Sequence, residues 1–329
     1  MNQDIVVEQL YKNYEYFEGA SGFRGLARNF IKRDIKIKNA VKNLSFTMNK
    51  GEMVGFIGKN GSGKTTTMKM LTGILTPTSG RILIGGNIPI KRSDDFKKKI
   101  GLVMGQKSQL WWDLPAKESF DLNRIIYEIN KDEYQKNLNK LVEILGVKSV
   151  LNIPVRKLSL GERMKLELIA SLIHGPEYIF LDEPTIGLDV CAQFDLREFI
   201  KEMNKERNIT VLITSHNMKD IEDLCKRSII LSNGELVFDG DTSNILDIYP
   251  YQQVNIQFEE ITDLALLMCY GEIKIKSNTE INIKIEKNKF SNFLSILLNN
   301  HKVNNFYLEP LDIEACVRYY YFKDQDEHG

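Results

Sequence analysis

A glycine-rich stretch near the start of the chain constrains the fold more than any other feature. The sequence GKNGSGKT, from Gly58 to Thr65, fits the pattern G-x-x-x-x-G-K-[ST]. The apolar run MVGFIG leads into it and a segment with helical spacing follows, which is the context that this motif requires. Gly58, Gly61 and Gly63 let backbone N–H groups wrap a phosphate chain. Lys64 supplies a charge to its outer phosphates and Thr65 an oxygen to Mg²⁺, so the stretch predicts a phosphate loop in an α/β fold.

An apolar run that ends in two carboxylates supplies the second element. In YIFLDEP, residues 178–181 predict a buried strand, with Asp182 at its carboxyl end and Glu183 directly after it. Asp182 can reach a metal ion, directly or through water. Glu183 lies where a general base can orient or deprotonate an attacking water. A buried structural acid pair is the alternative, but the nearby phosphate loop favours a functional pair.

A second anion-binding corner is predicted at VRKLSLGERMKLELIA, residues 155–170. Ser159 stands two residues before Gly161 at the start of a segment with helical spacing. Serine, glycine and free backbone N–H groups at a helix N-terminus form an anion site. This corner lies far along the chain from Lys64, so one chain carries two separate phosphate-binding corners.

Composition limits the classes of protein to be considered. The 329 residues contain 44 Lys+Arg and 44 Asp+Glu, so no overall field points to nucleic acid. No apolar run approaches the ~18–20 residues that span a bilayer, and the N-terminus lacks the pattern of a signal peptide. The four cysteines form no CxxC pair. A reduced cytoplasmic location is therefore expected.

The order of predicted elements indicates two domains. Strands alternate with helices over residues 1–240, with a helix that continues over 68–76 to end before Pro77 and a mostly helical part at about 107–175. From residue 241 to 329, alternating strands such as VNIQFE and INIKIE surround the helix FSNFLSILLNN. With a further helix at about 260–270, this module reads as a small α+β, ferredoxin-like β-α-β-β-α-β unit.

A basic insert separates the first two strands, at about residues 19–38. Its apolar residues follow helical spacing with arginines and lysines interleaved. A surface helix that packs its apolar stripe on the domain is one interpretation. A basic amphipathic segment that touches a membrane surface or a membrane partner is the other.

These motifs together resemble one family, the nucleotide-binding subunits of ABC transporters, over about residues 3–240. The family's further motifs occur in the expected order. The Q-loop matches GQKSQLWWDLPAKESF, the signature motif matches LSLGE, the D-loop matches GLD and the switch histidine matches TSH. The resemblance implies an ABC-type P-loop NTPase fold, ATP and Mg²⁺ as ligands, and ATP hydrolysis coupled to transport.

The resemblance also implies roles for individual residues. Adenine would stack on Tyr14, with Tyr16 and Phe17 as alternatives. The residues implied in phosphate binding are Gly58, Lys59, Asn60, Gly61, Ser62, Gly63, Lys64, Thr65 and Thr66. Mg²⁺ would be held by Thr65, Gln106 and Asp182, and the catalytic residues would be Glu183 and His216. Ser159, Gly161, Glu162 and Asp189 would contact nucleotide across a dimer.

In this family two subunits pack head to tail, and each ATP lies between one P-loop and the other subunit's signature motif. The expected partners are therefore a second copy of the chain and transmembrane permeases. LSLGERM and QLWWDLP resemble the subgroup paired with ABC-2-type export permeases, at the cytoplasmic face of the membrane. Leu160 and Glu162 depart from the usual LSGGQ signature, in which glycine and glutamine stand there.

Two further interpretations belong with this resemblance. The adjacent pair Trp111 and Trp112, in a loop, would receive a permease helix, or at least one of the rings would belong to the core. As for function, the alternatives are a soluble ABC ATPase that acts on ribosomes or DNA and a scaffold that closes without turnover. The single P-loop and the lack of a long coiled coil count against the ribosome and DNA alternatives. The presence of Glu183 and His216 counts against the scaffold, so transport without nucleic acid as a partner is favoured.

Overall fold

A computed structural model describes residues 3–17, 35–105, 107–215, 217–260, 264–309, 316, 317 and 319. The chain divides into two compact units, Met1–Thr242 and Ser243–Gly329. Residues 35–38, which the sequence assigns to the basic insert, belong to a strand, because they pair with the first strand of the chain. The rest of the insert, with its predicted helix, lies outside the described residues. Within the described ranges, no helix is long and apolar enough to cross a membrane.

The first unit combines strands and helices in alternation. Its strands are β1 (Gln3–Phe17), β2 (Ile35–Asn49), β3 (Met53–Gly58), β4 (Ser79–Ile84), β5 (Ile100–Met104), β6 (Tyr178–Asp182), β7 (Thr210–Thr214), β8 (Arg227–Ser232) and β9 (Glu235–Asp241). Its helices are α1 (Lys64–Leu71), α2 (Asp94–Lys99), α3 (Ala116–Ile126), α4 (Lys131–Leu145), α5 (Leu160–Leu172), α6 (Val190–Arg207) and α7 (Met218–Leu224).

Six of these strands form one sheet in the order β5-β6-β7-β3-β8-β9. All neighbours are parallel except β9, which pairs antiparallel with β8 at the edge. Every residue of β6 and β7 is buried, as continuous apolar runs predict for strands covered on both faces. Parallel strands end at one edge of their sheet, so Gly58, Asp182 and Thr214 all lie on that edge, with Asp182 directly opposite Thr214.

A second, antiparallel sheet has the order β2-β1-β4. Ile5 and Leu10 of β1 and Leu44 of β2 are buried in one hydrophobic cluster that also contains Phe56 of β3. The far ends of the long strands β1 and β2 pair Tyr14 with Lys38. This sheet therefore carries aromatic and basic side chains outward from the core.

The segment between β5 and β6 is mostly helical and contains α3, α4 and α5. On α4, the spacing of three and four that predicts a helix is also the spacing of its buried face. Those buried residues are Tyr134, Leu138, Leu141, Val142 and Leu145. Gly146 takes a left-handed φ of 66° at the end of that helix.

The helix after the phosphate loop is shorter than predicted. It ends at Leu71, whereas the sequence pattern predicts a helix up to residue 76. Gly73 adopts a φ of 70°, and its N–H donates to the Met70 carbonyl at 3.2 Å. The Ile74 N–H donates to the Lys69 carbonyl at 2.9 Å. These two bonds form the glycine-dependent C-terminal cap that stops a helix, so Gly73 and not Pro77 determines its end.

The second unit contains α8 (Asn244–Ile248), β10 (Tyr251–Phe258), α9 (Ala265–Met268), β11 (Gly271–Ile275), β12 (Glu280–Glu286), α10 (Phe290–Asn300) and β13 (Val303–Leu308). The four strands form an antiparallel sheet in the order β11-β12-β10-β13. From β10 onward the element order is β-α-β-β-α-β. Ile256 and Ile283 of the sheet share a buried cluster with Phe293 and Leu297 of α10. The helix predicted at about 260–270 is the four-residue α9.

Candidate functional site

The loop between β3 and α1 follows a path that only glycine permits at three positions. Gly61 and Gly63 have φ values of 86° and 107°, in the region that strains other residues. A Cβ on Gly58 would lie 2.2 Å from Ser62 Oγ, and one on Gly63 would lie 2.6 Å from the Ala40 carbonyl oxygen. The first N–H groups of α1, which have no acceptor within the helix, are thereby left for a ligand.

Lys64 is a buried cation held by neutral groups. Its side chain is 5% exposed, and Nζ donates to the carbonyl oxygens of Gly58 at 2.5 Å and Lys59 at 3.2 Å. Burial lowers the pKa of Lys64, and the nearby carboxylates of Glu183 and Asp182 oppose that effect. A charge taken out of water and bonded mainly to carbonyls gains a strong partner when phosphate oxygens arrive.

Ser62 gives an independent sign that the loop fits phosphate. Its side chain is 4% exposed, and Oγ has no hydrogen-bond partner among the described residues. An unsatisfied buried hydroxyl costs about 1–3 kcal/mol. A phosphate oxygen in the loop would remove that cost.

Asp182 is held by two threonines. Thr65 Oγ1 donates to Asp182 Oδ2 at 2.9 Å, and Thr214 Oγ1 donates to Asp182 Oδ1 at 2.7 Å. The hydroxyl of Thr65 and the carboxylate of Asp182 form a pair of neighbouring oxygens, the donor type that Mg²⁺ prefers. Sequence reasoning missed Thr214, although its place at the end of a strand beside β6 is a usable signal.

Glu183 occupies an uncommon backbone conformation. Its φ is 53°, in the left-handed region that costs a non-glycine residue about 1–3 kcal/mol when strained. Its N–H donates to Thr214 Oγ1 at 3.0 Å and to the Thr214 carbonyl at 3.1 Å. Such a conformation persists where the surroundings hold it, and here Thr214 holds both Asp182 and Glu183.

An open cleft of about 1100 Å³ brings these residues together. The predicted site residues that line it are Tyr14, Gly58, Lys59, Asn60, Gly61, Gly63, Lys64, Thr65, Thr66, Asp182 and Glu183. Tyr16 and Lys38 also line it. The rings of Tyr14 and Tyr16 are 37% and 45% exposed, so either ring has a free surface for stacking on a base. The side chain of Phe17 lies outside the described residues.

At the second anion-binding corner, which contains the signature motif, the polar groups of Ser159 and Glu162 bond to each other in a capping box at the start of α5. Ser159 Oγ accepts from the Glu162 N–H at 3.2 Å and donates to Glu162 Oε2 at 2.8 Å, while the Ser159 N–H donates to Oε2 at 2.9 Å. These bonds lower the pKa of Glu162. The spacing S-x-x-E is itself a signal for this cap, and sequence reasoning did not use it.

This second corner stands apart from the cleft. Among the described residues that line the 1100 Å³ cleft, Ser159, Gly161, Glu162 and Asp189 do not occur. Asp189 caps α6, where its Oδ1 accepts from the Ala192 N–H at 2.8 Å. A Cβ on Gly161 would lie 3.2 Å from Ala192 Cβ, so the starts of α5 and α6 adjoin each other.

Gln106 and His216, two predicted site residues, lie outside the described residues. Their neighbours are described: Gly105 and Lys107 line the cleft. The Gly105 N–H donates to the Asp182 carbonyl at 2.9 Å. The roles of Gln106 and His216 stay predictions.

The tryptophan pair lies on the surface. Trp111 and Trp112 are 48% and 51% exposed, so the interpretation that at least one ring belongs to the core is wrong. The Arg163 guanidinium lies 5.5 Å from the centre of the Trp112 ring. Two adjacent exposed aromatic rings form a surface suited to contact with another protein.

Comparisons with known proteins agree with this geometry. Residues 41–186 match the ABC transporter family. The ABC transporter ATP-binding protein NatA of Bacillus subtilis is 33% identical over 223 residues, which cover 68% of this chain and 90% of NatA. The bacitracin transport ATP-binding protein BcrA of Bacillus licheniformis is 36% identical over 200 residues, which cover 61% of this chain and 64% of BcrA.

The fold also matches solved structures. A dimeric structure of MJ0796, a bacterial ABC transporter cassette, aligns with a TM-score of 0.60 and 25% identity, and covers 72% of this chain and 98% of that one. The phosphate loop, the signature corner and the acid pair all fall within the range matched by the family. The chain therefore belongs to the ABC transporter family, as an ATP-binding and ATP-hydrolysing subunit.

Proposed function

We propose that this ATPase works as a head-to-tail pair of identical subunits and drives ABC-2-type permeases in the direction of export. The observation that carries the proposal is the separation of the two phosphate corners: Lys64 lies in the cleft of its own chain, whereas Ser159 does not line it. A second copy would bring its Ser159 and Gly161 to that cleft, with the positive end of its α5 dipole. The dimeric MJ0796 cassette supports such a pairing.

The residues of the cleft suit hydrolysis of the γ-phosphate. Lys64 stabilises charge on the outer phosphates. Glu183 accepts a proton from water as the water oxygen bonds to the γ-phosphorus and the bond to the β–γ bridging oxygen breaks, which gives ADP and phosphate. His216 would help to orient the γ-phosphate and the water.

Magnesium fits the oxygen pair of Thr65 and Asp182, with Gln106 as the predicted third contact. No group of three or more His, Cys, Asp or Glu that could hold a metal ion occurs in the described part of the chain. Magnesium commonly uses one or two protein oxygens together with substrate phosphates and water. When bound, it would neutralise charge on the β- and γ-phosphates.

Nucleotide state would control the dimer because only ATP presents the γ-phosphate that both corners can share. Its loss on hydrolysis removes the bridging contact and reopens the pair. The segment from Gln106 to Trp112 would pass this movement to the permease. The exposure of Trp111 and Trp112 supports that assignment.

The relatives favour export. One is a bacitracin transport protein, and a linearmycin resistance ATP-binding protein of Bacillus subtilis, LnrL, is 34% identical over 215 residues. Resistance by transport moves a compound away from the cell's interior. The subunit would accordingly sit at the cytoplasmic face of the membrane, held there by its permeases.

Affinity purification from gently solubilised membranes of the native host tests the proposal. Tagged Glu183→Gln protein, with ATP and Mg²⁺, is expected to recover polytopic membrane proteins in stoichiometric amounts. Trp111→Ala with Trp112→Ala, added to the Glu183→Gln protein, should lose those membrane proteins. The same two substitutions in a chain that retains Glu183 should leave the ATPase activity of the purified protein unchanged. Recovery of ribosomal or DNA-processing proteins, with the chain absent from membranes, would overturn the transport assignment.

A further inference from the structure

Asp220 of α7 is a buried carboxylate that hydrolysis, as described above, does not use. It is 0% exposed, and it receives hydrogen bonds from three separate segments. Thr185 Oγ1 donates to Oδ2 at 2.5 Å, and Ser215 Oγ donates to the same oxygen at 2.9 Å. Arg197 Nη1 donates to Oδ1 at 2.8 Å.

The partners of Asp220 come from the segments that carry the catalytic residues. Thr185 stands two residues after Glu183, and Ser215 stands directly before His216. Arg197 lies on α6, the helix that Asp189 caps. Thr185, Ser215 and Arg197 are 4%, 1% and 3% exposed, so water does not screen these bonds.

The strained backbone of Glu183 explains why such a cluster matters. A φ of 53° needs support from both sides, and Thr214 supports the N–H side. On the other side, the Ile186 N–H donates to the Glu183 carbonyl at 3.3 Å, and Thr185 is tied to Asp220. The bond between Thr185 and Asp220 is therefore the anchor on the carboxyl side of Glu183.

Charge pairing alone does not account for the cluster. Arg197 also pairs through Nε with Asp223 at 3.1 Å. The Arg197 cation therefore has a second anion on α7, the helix that carries Asp220. The hydroxyls of Thr185 and Ser215 both donate to Asp220 Oδ2 and add no charge. They instead fix the positions of their two loops relative to α7, because each loop is bonded to the same oxygen. Ser215 Oγ in turn accepts from the Asn217 N–H at 2.9 Å, on the far side of His216.

We infer that Asp220, with Thr185 and Ser215, is a positioning cluster that holds the Glu183 segment and the residues on either side of position 216 in place for hydrolysis. The inference rests on the proposed role of Glu183 as the general base. The cluster touches no nucleotide and acts only through those two segments. Loss of one hydroxyl would let the Glu183 segment shift while the phosphate loop stays intact. The rate of hydrolysis should then fall and ATP binding should not.

The test is the basal ATPase of the purified full chain, which depends neither on the permease nor on the direction of transport. Thr185→Val is expected to lower kcat about 10- to 100-fold, since small misplacements of reacting groups have effects of that size. The Kd for a fluorescent ATP analogue should stay within about twofold of wild type, because the analogue binds at the phosphate loop. Thr185→Ser, which keeps the hydroxyl, should restore most of kcat.

Thr242→Val is the matched control. Thr242 is 5% exposed, and its Oγ1 bonds to the Cys225 carbonyl at 2.8 Å and to Ser228 Oγ at 2.7 Å, so the same substitution removes a buried hydroxyl elsewhere in the same unit. It should lower Tm and leave kcat unchanged. Wild-type kcat in Thr185→Val, or a loss no greater than in Thr242→Val, would overturn the inference.

Asp220→Asn adds a second test, a double-mutant comparison of kcat. Because it leaves Arg197 with one anion fewer, it tests folding as well as position. If both changes break one contact, Thr185→Val in an Asp220→Asn background should lower kcat little further. Fully multiplicative losses in the double variant would contradict a shared cluster.

Discussion

The two phosphate corners of this chain differ in how their polar groups are satisfied. In the phosphate loop, Ser62 Oγ has no partner within the described structure, and Lys64 is buried against neutral carbonyls. At the start of α5, Ser159 and Glu162 satisfy each other through three hydrogen bonds. The hydroxyl of the first corner is therefore unsatisfied by protein groups, whereas the Ser159 hydroxyl already donates to Glu162 and must give up that bond to donate to a phosphate.

This difference suggests an order of events. A corner with unsatisfied groups gains on binding nucleotide by itself. A corner with a closed capping box gains only if the incoming γ-phosphate offers more than the carboxylate that it displaces. Nucleotide would bind at Lys64 first, and the pairing of subunits at Ser159 would follow.

Removal of Lys64 should have the largest effect. Lys64→Ala takes the cation from the phosphate loop, and we expect ATP binding to be lost and ATPase activity to fall roughly 10³-fold or more. Equilibrium binding of a fluorescent ATP analogue and phosphate release measure the two effects. Lys50→Ala, at an exposed lysine that pairs with Glu177, is the control and should change neither. Retained ATP binding in Lys64→Ala would contradict the claim that the phosphate loop binds nucleotide by itself through Lys64.

Removal of the Ser159 hydroxyl should separate hydrolysis from binding. Ser159→Ala is expected to lower ATPase activity about 10²-fold and to leave binding of ATP to the single chain unchanged. The variant also loses about 1 kcal/mol of helix capping.

Ser93→Ala controls for that capping loss, because Ser93 caps α2 and accepts from the Phe96 N–H at 3.3 Å. It should lower the free energy of unfolding by a similar amount without lowering ATPase activity. Equal activity losses in Ser93→Ala and Ser159→Ala would reduce Ser159 to a helix cap.

Replacement of Glu162 by glutamine sharpens the comparison further. The hydrogen bonds from Ser159 lower the pKa of Glu162, so its carboxylate is charged at neutral pH and repels an arriving phosphate. Glu162→Gln should tighten ATP-dependent dimerisation about fivefold, from the ~1 kcal/mol between unit charges ~4 Å apart in water. Analytical ultracentrifugation with ATP measures the dimerisation constant, with both proteins also carrying Glu183→Gln so that ATP is not hydrolysed.

Glu133→Gln is the matched control for Glu162→Gln. Glu133 occupies the first turn of α4, three residues after the cap Asn130, so the same charge is removed at an equivalent helix position. It should not change dimerisation. Weaker dimerisation of Glu162→Gln would mean that Glu162 itself contributes to the contact with nucleotide.

The smallest expected effect on the ATP site comes from His174, just beyond the end of α5, which affects the stability of the fold and not the site itself. His174 Nε2–H donates to the Ile100 carbonyl at 2.9 Å, and its ring stacks on Tyr127 with centroids 4.0 Å apart. Burial lowers the pKa of His174 from 6.5 to about 4. The unfolded chain binds this proton at a higher pH than the folded chain, so stability falls as the pH drops from 6.5 to 4, by up to about 3 kcal/mol.

Urea unfolding at a series of pH values checks this dependence. In His174→Phe the ring packing is retained without a titratable group, so the difference in stability from wild type should shrink as the pH falls towards 4. ATP binding at the phosphate loop should follow the folded fraction only. A constant difference across that range would show that His174 does not titrate as described.

Sequence spacing was enough to predict the parts of this molecule that depend on interactions between residues close together in the chain. The phosphate loop depends on three glycines within six residues, and the buried runs of β6 and β7 depend on composition alone. The end of α1 was mispredicted because Gly73, which provides a left-handed cap, was passed over for Pro77. The capping box of Ser159 and Glu162 was equally readable, because both partners lie on one turn.

The contacts of Asp220 were not predictable in that way. Ser215 lies only five residues before Asp220, but Thr185 lies 35 residues before it, after a different strand. Only the packing of α7 on the sheet, where Ile221 lies against Gly55 of β3, brings both hydroxyls to one oxygen. Thr214 is an intermediate case. Its register opposite Asp182 follows from two predicted neighbouring strands, but the register of a parallel pair is fixed by the whole sheet.

A complementation assay tests the central claim, that the two corners of one ATP site come from different chains. Lys64→Ala and Ser159→Ala chains are each expected to be nearly inactive alone. Mixed in equal amounts, they should recover ATPase activity, because a mixed pair joins the intact Lys64 of one chain to the intact Ser159 of the other. Activity of the mixture no greater than the mean of the two separate preparations would contradict the head-to-tail site.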